Sequence, residues 1–119
     1  MLSVEMSNSF TKITKSSLLT ADVTSSATTN ILSVGSTTTV VLISVLISNK
    51  GGSSANANVY LVPNSGDSVF LLKNSPVPAG SSLEMIAGSR IVLNGSDVLR
   101  ASSDTSSALD ITVSYLQQT

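Results

Sequence analysis

Serine is the commonest side chain in this 119-residue sequence that could do chemistry, with 25 copies and neither histidine nor cysteine to accompany them. A hydroxyl becomes a nucleophile only when a neighbouring base takes its proton. With those two residue types absent, lysine is the base left for a serine, and no G-x-S-x-G elbow presents one. The serines therefore read as surface and turn hydroxyls. The carboxylates Asp67, Asp97, Asp104 and Asp110 are the next candidates, since several oxygens at close range could hold Ca²⁺. Their spacing does not resemble a calcium loop. Asp67 and Asp97 each close a Gly-containing turn, where Asp serves its own backbone. A glycosidase-type acid pair would need two positioned carboxylates in a cleft, and nothing in the sequence marks one.

Other ligand classes fare no better. The aromatics are Phe10, Tyr60, Phe70 and Tyr115, and the last three sit inside apolar runs as core candidates. The cations Lys12, Lys15, Lys50, Lys73, Arg90 and Arg100 are dispersed, and the net charge is −1. A stacking platform with a basic groove is thus not expected, nor is nucleic-acid or membrane-surface binding. No cofactor or metal is expected, and the chain is read as non-enzymatic. "NGS" at Asn94 matches a glycosylation sequon but reads as a turn. "MLSVEMSNSF" has no basic leader and carries Glu5 where an apolar run should be, so synthesis without a secretory signal is expected.

The elements that would position any site are strands. Ser and Thr make up about 31% of the chain, and Val, Ile and Thr favour the pleated strand through branching at Cβ. "TTTVVLISVLISNKGG", Thr37 to Gly52, holds the greasiest run, Val40 to Ile47. It is far shorter than the roughly 20 residues of a membrane helix. Read as one unbroken strand, it places Val41, Ile43, Val45 and Ile47 on one face and Val40, Leu42, Ser44 and Leu46 on the other. The purer first row is expected in the core. The second row, Val40, Leu42, Ser44 and Leu46, is the expected oligomer interface, because large apolar side chains left in water forfeit about 1.5–3 kcal/mol each.

Further strands are expected at Asn58 to Pro63, Ser68 to Lys73, Ser82 to Ala87, Arg90 to Leu93 and Val98 to Ser102. The last strand alternates cleanly, with Leu109, Ile111, Val113 and Tyr115 facing in. "NSGD" and "NGSD" are turns, and "PVPAG", Pro76 to Gly80, is a rigid bend. That makes seven strands from Thr37 onward. "FTKITK" and "TTNILSV" can add two more upstream, and residues 1–9 are expected to form a flexible arm. The fold class is all-β: an antiparallel β-sandwich, jelly-roll or Ig-like, over residues 10–119.

The stretch "SPVPAGSSLEMIAGSRIVLNGSDVLRASSDTSSALDITVSYLQQ" resembles small β-sandwich virion proteins of tailed bacteriophages, including marine ones. The matching pieces are the Pro76–Gly80 bend, the Arg90–Leu93 strand, the Asp97–Ser102 strand and the closing Asp110–Tyr115 strand. Upstream, "VLISVLISNKGGSSANANVYLV" resembles the front half, a strand ending in Asn before a Gly/Ser-rich loop. The resemblance covers about the last 80 residues and carries no site residues. It implies a location in the virion and a structural role, chiefly as a capsid decoration or cement protein stabilising subunit junctions. The implied partners are copies of itself, in a homo-oligomer such as a trimer, and other virion proteins such as the major capsid protein. A tail, neck or fibre component with host-glycan binding is the alternative, and a small hydrolase is a third.

Overall fold

The computed structural model describes residues 8–86 and 89–119. Among the described residues, nine strands form two antiparallel sheets: β1 (Asn8–Lys15), β2 (Asn30–Ser33), β3 (Thr39–Asn49), β4 (Ala55–Val62), β5 (Val69–Val77), β6 (Ser82–Glu84), β7 (Ile91–Leu93), β8 (Val98–Ser103) and β9 (Leu109–Gln118). The first sheet runs β1-β9-β3-β6, with β7 also pairing β3, and the second runs β2-β8-β4-β5. The two sheets pack on each other as a β-sandwich, as expected from the composition and alternation. Of the segment expected as an arm, Asn8 and Ser9 open β1, where they pair with Gln118 and Gln117. The rest of that segment lies outside the described residues.

The core is one apolar cluster between the sheets. From the first sheet come Val40, Leu42, Val45 and Ile47 of β3 and Leu109, Ile111, Val113 and Tyr115 of β9. Ala55, Ala57 and Val59 of β4 and Leu99 and Ala101 of β8 supply the second sheet. The expected inward row of β9 is the observed one, because a strict period of two needs only one buried face.

The strand β3 departs from that simple alternation. Leu42 pairs with Tyr115 and Ser44 pairs with Ser114, so Ile43 has no partner on β9. This is a β-bulge, one extra residue that flips every later side chain to the other face. The core row is therefore Val40, Leu42, Val45 and Ile47, while Val41, Ile43, Ser44 and Leu46 line the outer face. The Glu84 carboxylate supports the bulge. It accepts from Ser44 Oγ at 2.7 Å, from the Val45 N–H at 3.3 Å and from the Ile86 N–H at 3.1 Å. Those groups lie where β3 changes neighbour from β7 to β6 and lacks a continuous ladder on that side.

Several further boundaries differ from expectation, among them β4, which begins at Ala55 rather than Asn58, and β6, which ends at Glu84. β5 runs on through Pro76 to the buried Val77, so the rigid bend begins only at Pro78. Proline is tolerated there because β5 is an edge strand, where a missing N–H breaks no ladder. "TTNILSV" splits into a 3-10 turn at Ala27–Thr29 followed by the short β2.

The long connection between β1 and β2 closes one end of the sandwich. The Leu18 N–H donates to the Leu109 carbonyl on the first sheet, and the Leu19 carbonyl accepts from Ser103 on the second. Nearby, Asn49 is a buried staple. Its Nδ2 donates to the carbonyls of Ser53 and Val77 at 2.9 and 2.8 Å, and its Oδ1 accepts from the Gly51 N–H at 2.8 Å. One amide thus satisfies two backbone groups of the Gly/Ser-rich loop and one of β5, and so holds that loop against β5.

Candidate functional site

Among the described residues, one cluster joins serine hydroxyls to a lysine. Lys50 Nζ lies 3.1 Å from Ser16 Oγ, 2.8 Å from Ser17 Oγ and 2.8 Å from Asp110 Oδ1. The ammonium donates to all three oxygens at once. Ser17 adopts φ 59°, and its N–H also donates to Asp110 Oδ1 at 2.8 Å. Lys50 beside Asp110 holds that carboxyl below the ordinary carboxylate range, helped by the Ser17 N–H. Both charged side chains are about 40% exposed, so the pair contributes at most about 1 kcal/mol. This is a clamp that pins the start of the β1–β2 connection to β9.

The other carboxylates are dispersed. Asp97 is buried and accepts from the Asn64 and Asn94 N–H groups, both at 2.8 Å. Asp104 accepts from the Asn56 N–H at 2.8 Å. Asp97 thus serves its turn's backbone as expected, while Asp104 ties its loop to β4. Among the described residues, no three His, Cys, Asp or Glu side chains gather as metal ligands.

The outer face of the first sheet carries a different kind of feature. Phe10 of β1 pairs with Leu116 of β9, Leu116 with Val41 of β3, and Val41 with Val92 of β7. Four neighbouring strands thereby present one transverse apolar row to the outside. Phe10 is 80% exposed and Val92 51%, with Leu116 and Val41 half-buried between them. The next two rows are mostly hydroxylic, with one lysine and one leucine: Lys12, Ser114 and Ser44, then Thr14, Thr112 and Leu46. The bulge residue Ile43 lies beside the apolar row. It joins Phe10, Thr11, Lys12, Ser114 and Tyr115 around an open depression of about 530 Å³.

The residues expected at an interface divide between two places. Val40 and Leu42 are buried in the sandwich core at 1% and 0% exposure, so they cannot touch another chain. The correction follows from the bulge. Ser44 and Leu46 do lie on the outer face, one and two rows below Phe10. The aromatics also need correction, since only Tyr115 of the three core candidates is buried. Tyr60 is half-buried and Phe70 exposed, both on the outer face of the second sheet. Phe10, Val41, Leu116 and Val92 were not expected together, because only strand register aligns four residues so far apart in the chain. In comparisons with known proteins, no family model matches the chain and no curated protein matches its sequence.

Proposed function

We propose that the protein is a non-enzymatic structural subunit of a bacteriophage virion, acting as a decoration or cement protein at subunit junctions. The observation that carries the structural role is the apolar row Phe10–Leu116–Val41–Val92 on the outer face of the first sheet. A side chain as exposed as Phe10 contributes nothing to the core, yet its burial against a partner is worth about 1.5–3 kcal/mol. The Ser44, Ser114, Thr14 and Thr112 hydroxyls beside it lose little side-chain entropy when covered. Their low charge also lets copies approach without repulsion. The resemblance of residues 75–118 to small phage virion proteins supports placing that role in a virion.

The mechanism is passive. The row and the depression beside it dock on a neighbouring subunit, and the desolvated area resists separation of the junction. Negative-stain microscopy of purified particles with a gold-labelled antibody against this chain tests the location. Regular labelling of the head is expected. Particles that lack the chain would overturn the proposal, and labelling confined to the tail would move the role to a tail or fibre component.

A further inference from the structure

The outer face of the second sheet holds a cleft that is independent of the assembly row. One wall is the segment 20–23 of the β1–β2 connection, and the other is Phe70 of the edge strand β5. Asn58 of β4 and Ser102 of β8 lie between them, with Asp104 at the end, around a space of about 230 Å³. Phe70 is held in place rather than loose. Tyr60 meets its ring edge-on with centroids 4.8 Å apart, and Lys73 Nζ lies 5.2 Å from the ring centroid. An exposed aromatic fixed in this way offers apolar surface at little further cost in entropy.

The polar groups of the cleft are of both kinds. Asn58 Nδ2 donates to Ser102 Oγ at 3.4 Å, which leaves its second N–H spare, while its Oδ1 accepts from the Asn74 N–H. Ser102 is only 3% exposed, and its O–H finds no acceptor among the described residues. Asp104 Oδ1 accepts from Asn56 and Thr105, whereas its Oδ2 accepts no bond among the described residues. Spare donors and a spare carboxylate oxygen thus sit beside an aromatic ring.

The geometry points to a binding site for a single neutral sugar ring. Vicinal hydroxyls donate to a carboxylate and accept from an amide or hydroxyl at the same time, and the C–H face of the ring packs on Phe70. A phosphate would meet Asp22 and Asp104 with no cation among the lining residues. An organic cation would satisfy the carboxylates but leave the Ser102 and Asn58 donors unpaired, which is costly in a partly buried site. The space is below the roughly 300–1,000 Å³ of sites that enclose larger ligands, so one ring fits rather than a chain.

The test is a titration of the ¹⁵N-labelled protein, followed by NMR. The probes are D-glucose, D-galactose, methyl α-D-mannoside and N-acetyl-D-glucosamine, with methylammonium and calcium chlorides run in parallel. At least one sugar should give saturable shifts in the millimolar range at Phe70, Ser102 and Asp104, with Phe10 and Leu116 unmoved. Phe70→Ala should weaken that binding at least tenfold. Asp104→Asn should do the same while keeping the Oδ1 acceptor that holds Asn56. Phe10→Ser should leave sugar binding unchanged even where it abolishes assembly, so failure of one reading does not count against the other. No shift with any of the four sugars at 100 mM, shifts indifferent to both cleft variants, or a response to the cations alone would overturn the site.

Discussion

Replacing Leu42 and its neighbour Ile43 by glutamate should give opposite outcomes, because neighbouring strand residues face opposite ways and the bulge puts Leu42, not Ile43, on the core face with Val45 and Ile47. Leu42 has 0% exposure. Losing its burial costs about 1.5–3 kcal/mol. The new carboxyl must then be buried as a charge or held protonated. With an unfolded pKa near 4.3 and about 1.36 kcal/mol per unit, holding it protonated at pH 7 costs about 4 kcal/mol. The total of roughly 5–7 kcal/mol is comparable to the whole stability of a typical domain, about 5–15 kcal/mol. Leu42→Glu should therefore be largely unfolded by circular dichroism at 25 °C. Ile43 is half-buried on the outer face, and its glutamate reaches water. Ile43→Glu should fold with a loss of about 1 kcal/mol, a Tm change of a few degrees. Its association, followed by sedimentation velocity, should weaken because Ile43 lines the depression beside Phe10. If Ile43→Glu unfolds while Leu42→Glu stays folded, the strand alternates without a bulge and the assignment of faces is wrong.

Three further outcomes are expected. Asn49→Leu keeps the volume but strands the Gly51 N–H and the Ser53 and Val77 carbonyls, so urea titration should show a loss of about 2–4 kcal/mol. Gly95→Ala would drive a Cβ into the Ser36 carbonyl oxygen, a backbone atom that cannot swing away; a loss of about 1–3 kcal/mol is expected, and a melting curve matching wild type would refute the close approach. Asp110 is depressed in the fold by Lys50 and the Ser17 N–H, so its contribution is full above the unfolded pKa near 3.9 and lost as pH falls through the lower folded value. Asp110→Asn should flatten that acid limb by lowering stability near pH 7 by at most about 1 kcal/mol while changing little at the acid end, and an unaltered limb would mean the clamp is not formed in solution.

Much of the sandwich was legible because alternation reports burial directly. β9 shows this best, with Leu109, Ile111, Val113 and Tyr115 inward. β3 was misread for the same reason, since a period-two template has no place for an inserted residue. Ser44, the one polar side chain in the run Val40 to Ile47, was the available signal: it faces out and bonds Glu84 40 residues away. The aromatics were misplaced because an apolar neighbourhood in sequence says nothing about edge strands. Phe70 sits on β5, whose free edge and outer face leave it exposed. The apolar row depends on the pairing of β1, β9, β3 and β7, and the Lys50 clamp joins residues 33 to 60 positions apart. Neither has a local pattern to read.

Oxidative footprinting tests the central claim most directly, by comparing the free chain with the chain in intact particles. Phe10, Val92 and Leu116 should oxidise readily in the free chain and be strongly protected in the particle, while Phe70 stays reactive in both. Equal reactivity of Phe10 and Val92 in the two states would show that the outer row of the first sheet is not an assembly surface.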